Sequence, residues 1–322
     1  MKLTFSVRFN NDVAPAEFAR LAALAEEGGF DQVWVSHDLF FHSAPVLVTA
    51  AAQATSRIEL GVGVFNPVSM HASEIAMVAA SLAELTEGRA LLGIGAGADR
   101  FLTWARLAFD PPVARTERAI KEIRTLLAGD APWEHEGRMR ISVSPVRIYV
   151  GAMGPRMLRM AGRVADGALP LLFPPSHYRV AAAQIAEGAA AMGRDIAAVD
   201  VAACIWCSIA TDGERARAVL AEKIGYYGPS FSPDLLARAG LRVSDFAGGA
   251  VTPQMLALGV AGGAEDMVGA CARLIADGAR HISFGPPLGP DPEEAIRVLA
   301  GQVIPVLTRR SGGSSAAGSG RL

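Results

Sequence analysis

Side chains able to do chemistry are sparse in this chain, and they gather where short apolar runs end. Ser36-His37-Asp38 follows the run QVWV and sets an imidazole beside a carboxylate, a pair suited to moving a proton. Solvated loop polarity is the plainer account of the same two residues. Arg8 stands in the alternating stretch TFSVRF; it can bind an anion or polarise a carbonyl, and pairing with a carboxylate is the open alternative. His42, His71, His135 and His177 show no ligand spacing, so no metal site is expected. No G-x-S-x-G elbow, phosphate-binding lysine loop or His-Glu-x-x-His occurs. Cys204 and Cys207 form a C-x-x-C inside VAACIWCSIA, which reads as a buried strand. Alternation puts their thiols on opposite faces, so they are expected to be core residues. A chain this poor in nucleophiles and metal ligands is expected to work through a bound cofactor that carries its own chemistry.

Glycines supply the second signal. Gly61-Val62-Gly63-Val64-Phe65-Asn66-Pro67, Gly93-Ile94-Gly95-Ala96-Gly97 and Gly151-Ala152-Met153-Gly154-Pro155-Arg156 all close apolar runs. Ordinary turn chemistry would explain one such loop; three in consecutive units predict bare backbone against a flat, planar ligand. The run at 93–97 reads G-x-G-x-G. It lacks the third glycine of the dinucleotide fingerprint and follows the fourth apolar run, not the first, so a Rossmann loop is rejected. GAMGPRML opens a helical pattern with Pro155 suited to its first position, and free N–H groups there favour an anionic group such as a phosphate.

The elements that must position these residues alternate regularly. Strands are predicted at KLTFSVRF, DQVWVS, RIELGVGV, RALLGIG, VRIYVG, GALPLLF, VDVAACIWCSIA and ARHISFG, each followed by a helical pattern. Eight such units predict an α/β fold, a (β/α)8 TIM barrel, whose chemistry sits at the C-terminal ends of the strands. Two insertions are expected: a small hairpin over residues 130–146, after the fourth helix, and a helical excursion over 226–263, before strand eight. Residues 1–310 are read as one domain and 311–322, rich in Gly and Ser, as a disordered tail. The 322 residues are 51% hydrophobic and 19% charged with a net charge of −2, which implies a large core and gives no footprint for nucleic acid. No apolar run approaches the ~20 residues of a membrane span. The opening MKLTFSVRFNND has no signal-peptide apolar region, and a cytoplasmic protein is expected.

Five segments, GFDQVWVSHD, RIELGVGVFNP, LAELTEGRALLGIGAG, IYVGAMGPRMLRMAGRVADGAL and GPPLGPD, resemble the bacterial luciferase-like superfamily. Within it they are most similar to the coenzyme F420-dependent branch that includes methylenetetrahydromethanopterin reductase. The resemblance implies a barrel that holds a deazaflavin at its C-terminal rim. It implies hydride transfer between the deazaflavin C5 and a small organic substrate, a methylene-tetrahydropterin or a related C=N, C=C or C=O compound. An FMN-dependent monooxygenase is the alternative, and a non-catalytic flavin-binding protein the second. Asp38, His37 and Arg8 are the implied catalytic side chains. Cofactor contacts are implied for Ser36, for Gly63, Val64, Phe65 and Asn66, and for Gly95, Ala96, Gly97 and Ala98. Further contacts are implied for Gly151, Ala152, Met153 and Gly154, and for Leu171. A cis peptide between Gly63 and Val64, bulging behind the ring, is implied as well. Two departures stand out: the family commonly reads Asp-His where this chain has His37-Asp38, and the strand-one glutamate of the reductases is replaced by Ser6 or Arg8, depending on register. The superfamily's habit and the apolar composition together imply a homodimer joined through the second and third helices.

Overall fold

The computed structural model describes residues 2–107, 111–141 and 144–313. Nine parallel strands carry the fold: β1 (Thr4–Phe9), β2 (Gln32–Val35), β3 (Glu59–Phe65), β4 (Ala90–Ile94), β5 (Arg147–Ala152), β6 (Gly167–Pro170), β7 (Asp200–Ile209), β8 (Val260–Gly262) and β9 (His281–Leu288). Pairing runs β1 to β7 in order, then from β7 to β9 and from β9 back to β1, which closes an eight-stranded barrel. The short β8 pairs only with the outer end of β7, at Cys207–Ile209. The eight predicted strands are therefore all present, the predicted eighth being β9.

Helices α1 (Pro15–Glu27), α2 (Ala44–Ala54), α3 (Ala72–Leu85), α4 (Asp99–Trp104), α5 (Pro112–Leu127), α6 (Pro155–Val164) and α7 (Tyr178–Ala190) follow the first six strands. The chain continues with α8 (Gly213–Tyr227), α9 (Pro233–Ala237), α10 (Pro253–Leu256), α11 (Ala264–Ala276), α12 (Pro292–Val298) and α13 (Ile304–Gly313). A π-helical turn over Leu299–Val303 joins the last two into one rod. Among the described residues no helix is long and apolar enough to cross a membrane.

Both faces of a barrel strand are covered, which is why these runs are apolar without strict alternation. All five residues of β4 are buried. Outward side chains such as Val33, Val35, Leu60 and Val62 meet the helices in the main core. Inward, Trp34, Leu91, Tyr149, Leu169, Ala202 and Cys204 fill the barrel. The rings of Trp34 and Tyr149 meet edge to face, 5.0 Å apart. Gly61 and Gly167 make room for them: a Cβ at either glycine would collide with the neighbouring ring. Cys204 points into this interior and Cys207 into the outer core, as strand alternation requires.

A chain of polar groups in the interior is paired, as burial demands, although among the described residues the buried Ser208 hydroxyl of β7 has no hydrogen-bond partner. His281 Nδ1 lies 2.9 Å from Asp200 Oδ2, and the Tyr149 hydroxyl donates to the same oxygen at 2.8 Å. His281 Nε2 meets Ser6 Oγ at 2.7 Å, and Ser6 meets Ser283 at the same distance. Burial acts to raise the Asp200 carboxyl, but the His281 charge and the hydrogen bonds from His281 and Tyr149 outweigh it and hold the group below the usual carboxylate range. Ser6 belongs to the buried interior and Arg8 lines the cavity at the rim.

Both insertions differ from expectation. Residues 130–141 and 144–146 form turns and bends with no strand among them, so no hairpin is described there. The reason is compositional: EHEGRMR offers no alternating apolar face to bury. The Glu134–Gly137 turn closes on itself, and the Trp133 ring lies 5.0 Å from that of His71. The excursion over 226–263 is helical only in part, made of α9, α10 and two 3-10 turns, and it ends in β8. Its Leu235, Leu236, Met255 and Leu258 pack with Trp206 and Phe173 into a separate small core beside the rim.

Candidate functional site

A cavity of about 620 Å³ opens at the C-terminal ends of the strands. Most of the predicted residues line it: Arg8 from β1; Ser36, His37 and Asp38 after β2; Gly63, Val64 and Asn66 from β3; and Ala96, Gly97 and Ala98 after β4. Gly151, Ala152, Met153 and Gly154 from β5 and Leu171 after β6 complete the set. Phe65 and Gly95 do not line it. Phe65 is fully buried, with the His37 ring against it at 4.9 Å. Trp34, Phe101, Leu169, Cys204 and Trp206 are wall residues that sequence reasoning did not single out for this role.

The glycines serve a second purpose that their sequence did not suggest. Gly63, Gly97, Gly151 and Gly154 line the cavity, as expected of bare backbone, and several of the glycines also make room for neighbouring protein atoms. A Cβ at Gly95 would stand 2.7 Å from Val64 Cγ2, and one at Gly151 would stand 2.9 Å from Val64 Cγ1. At Gly97, whose φ is +69°, a Cβ would stand 2.5 Å from Asn66 Nδ2. The glycines of β4 and β5 thus make a socket for the end of β3, where the β3–β4 register shifts between Val62 and Phe65. The Gly63–Val64 peptide in that bulge is cis, as the resemblance implied. Val64, seated in the socket, is what the cavity meets. Gly154 is the exception: a Cβ there would find nothing within 4 Å.

Asn11, buried just beyond β1, organises the loop that carries the proton-handling pair. Its Nδ2 donates to the carbonyls of Asp38 (2.9 Å) and His42 (2.7 Å), and its Oδ1 accepts from Ser36 Oγ at 2.9 Å. The Ala44 amide donates to His37 Nδ1 at 3.2 Å. An amide can only donate, so the neutral ring carries its proton on Nε2. Burial holds the His37 imidazole below its ordinary value, which favours that neutral form. Asp38 is pushed the other way: burial raises its carboxyl, partly opposed by Ser36 and by the charge of Lys223, and Asp12 adds to the rise. Burial thus disfavours the charged form of both neighbours, a perturbation found at acid–base sites.

Arg8 is fixed tightly. Nε donates to Ser283 Oγ at 3.1 Å and Nη2 to the Ile205 carbonyl at 2.8 Å. A Cβ at Gly285 would collide with Nη2, so that glycine is what lets the guanidinium lie flat on the rim. Lys223 of α8, which sequence reasoning missed, has its ammonium 5.0 Å from the centre of the Trp206 ring. At the opposite edge of the site, α6 begins with Gly154 and Pro155 and has no side-chain cap. Its open amides at Arg156 and Met157 suit an anion. Together these features fit a planar ring over Val64 with an anionic tail at α6. Among the described residues no group of three or more His, Cys, Asp or Glu could hold a metal ion.

Comparison with known proteins fits this geometry. Residues 2–273 match the model of the family described as luciferase-like monooxygenase. A 5,10-methylenetetrahydromethanopterin reductase of Methanolobus tindarius is 33% identical over 94% of this chain and all of its own length. The protein of the same name from Methanopyrus kandleri is 31% identical, covering 94% of this chain and 98% of its own. A solved structure of a coenzyme F420-dependent tetrahydromethanopterin reductase from Methanopyrus kandleri superposes with a TM-score of 0.88 at 28% identity, over 95% of this chain and all of that one.

Proposed function

Because this chain belongs to the luciferase-like monooxygenase family, we propose that it is a coenzyme F420-dependent oxidoreductase acting on a small organic substrate. The observation that carries this reading is the end-to-end similarity to a solved structure named as a coenzyme F420-dependent tetrahydromethanopterin reductase, over 95% of this chain. The reaction is a hydride transfer between the deazaflavin C5 and an electrophilic C=N, C=C or C=O carbon, a methylene-tetrahydropterin being one such substrate. When bound, the reduced coenzyme supplies the hydride.

The chain's own residues do the rest. Val64, held in its glycine socket, and the aromatic and aliphatic wall would position the ring and exclude water, and orientation of this kind accounts for much of the rate enhancement. The α6 amides, with Met153 and Gly154 beside them, would take the coenzyme's anionic part. A C=N iminium would become a neutral amine without a proton, whereas reduction of a C=O or C=C acceptor would leave negative charge on the neighbouring atom, which must be protonated. Asp38, whose carboxyl burial raises above its ordinary value, would deliver a proton there. The His37 Nε2–H donates a hydrogen bond to the same region, and Arg8 steadies the developing charge. With Ser6 or Arg8 in place of the reductases' strand-one acid, proton delivery would fall to the loop after β2.

The test is direct. F420 added to the purified protein is expected to lose fluorescence with saturable binding, and FMN is expected to bind at least about tenfold more weakly, a difference of about 1.4 kcal/mol. Tight FMN binding without F420 binding would overturn the reading in favour of a monooxygenase. Saturable F420 binding with no turnover on any alcohol, sugar phosphate or reduced pterin would favour the non-catalytic reading.

We also place the protein in the cytoplasm as a homodimer joined through α2 and α3. Large apolar side chains stand out to solvent on these helices, Val46 at 54% and Met77 at 57% exposure, and such exposure on paired helices marks association surfaces. Light scattering is expected to give twice the 33.6 kDa chain mass. A Val46→Glu, Met77→Glu variant should run as a monomer, and a wild-type monomer at micromolar concentration would sink this arrangement.

A further inference from the structure

Arg8 lines the rim of the cavity and Lys223 lies against the ring of Trp206, another wall residue; among the described residues neither cation has a carboxylate within ion-pairing distance. From this we infer that the substrate carries an anionic group, a carboxylate or a phosphate, seated between the guanidinium of Arg8 and the ammonium of Lys223. The inference rests on the reading of the cavity as a substrate site and adds the substrate's charge class to it.

Consider first what Arg8 has left to give. Two of its five N–H donors are spent on Ser283 and the Ile205 carbonyl, which fix the plane of the group. The side chain lines the cavity, so the unspent donors belong to whatever enters. A planar fork held rigid, with donors unused, is the arrangement that captures an oxyanion at little entropic cost.

Lys223 is built differently and points to the same ligand. Its ammonium rests over two aromatic faces, 5.0 Å from the centre of Trp206 and 5.3 Å from that of Tyr227. Trp206 is itself a wall of the cavity, so the cation stands at that wall. Among the described residues it has no hydrogen-bond acceptor. Burial pushes the ammonium down to about 8, Arg8 acts in the same direction, and Asp12 and Asp38 act against them. Ring faces hold a cation but do not neutralise it, so a half-buried ammonium without an acceptor gains from an arriving anion. The nearby acids do not fill that role. Asp12 is exposed, and neither it nor Asp38 comes within ion-pairing distance of the Lys223 ammonium among the described residues.

The sequence makes the idea easy to test, because Lys2, Lys121 and Lys223 are its only lysines. Lys2 and Lys121 are exposed and paired with Asp31 and Glu117, so they serve as internal references. Limiting acetic anhydride is applied to the full chain, and labelling at each lysine is read by mass spectrometry. The added probes are 2-oxobutanoate, its uncharged amide and inorganic phosphate. An anionic probe at saturation is expected to slow labelling of Lys223, relative to the two references, by about five-fold or more. The amide should have no effect, and the protection should disappear in Arg8→Gln. Protection by 2-oxobutanoate alone assigns a carboxylate, and protection by phosphate alone assigns a phosphate. If neither anion changes the ratio, if the amide protects equally, or if Arg8→Gln keeps the protection, the inference is wrong. F420 fluorescence titrations on the same samples separate the two readings. F420 binding without anion protection removes only this inference, whereas anion protection without F420 binding removes only the cofactor assignment.

Discussion

Gly151→Val is expected to weaken F420 binding by about 100-fold, near 2.7 kcal/mol, while leaving the barrel folded. The mutated carbon does not reach into the cavity; it reaches Val64. A Cβ at position 151 already comes within 2.9 Å of Val64 Cγ1, and Gly95 confines the same side chain from β4 at 2.7 Å. Val64 therefore has nowhere to retreat, and two further methyl groups must drive it outward into the space the ring is proposed to occupy. Overpacking of this kind costs about 1–3 kcal/mol in stability, a readable but survivable loss of melting temperature. The decisive measurement is the double variant. Val64→Ala removes both Cγ atoms, so it should restore most of the binding that Gly151→Val loses, and the coupling between the two sites should exceed about 1 kcal/mol. Additive losses would mean that position 151 acts on the ligand directly and that the socket is not what shapes the site.

The same socket shows how far sequence can be read. The alternation of apolar runs and helical periods fixes the barrel, since parallel strands covered on both faces have almost no other way to look. The rim was legible too, because glycine at three successive strand ends is costly unless something approaches closely. What approaches was not legible. Gly95 and Gly151 respond to a valine some thirty and ninety residues away in the chain, and no local pattern reports a tertiary contact of that kind. Asn11 was hidden for a related reason: a polar residue just past a strand looks like any loop residue until its three partners after β2 are placed around it. Lys223 sits in an ordinary amphipathic helix, and only folding brings it over Trp206. Phe65 turns into the outer core and does not line the cavity, because the register of β3 shifts between Val62 and Phe65. Among the described residues of 130–146 no strand of the predicted hairpin forms, on local grounds that were available, since turn residues alone do not make strands without an apolar face.

Asp38→Asn should separate catalysis from stability in opposite directions. Asparagine keeps the size of the side chain and can still donate a hydrogen bond, but it cannot give up a proton. Turnover is expected to fall by about 10² to 10⁴, the span general acid catalysis supplies, with F420 binding within about twofold of wild type. The pH dependence follows from the direction of the shift. Burial raises the folded-state pKa of Asp38, so the acid form persists to higher pH than for an exposed aspartate. Wild-type turnover should therefore hold on the acid side and decline as pH rises through that raised value, and this limb should be missing from the variant's residual activity. Linkage gives the second half. A carboxyl with a raised folded pKa binds its proton more tightly in the native state, so it lowers stability as pH rises from its unfolded value through its folded one. At neutral pH Asp38→Asn removes that burden, and its melting temperature should exceed that of the wild type, with the gap closing toward acid pH. A purely structural aspartate would lose stability and activity together. A variant that keeps more than about a tenth of wild-type turnover would move the acid role to the neighbouring His37, whose proton stands on Nε2.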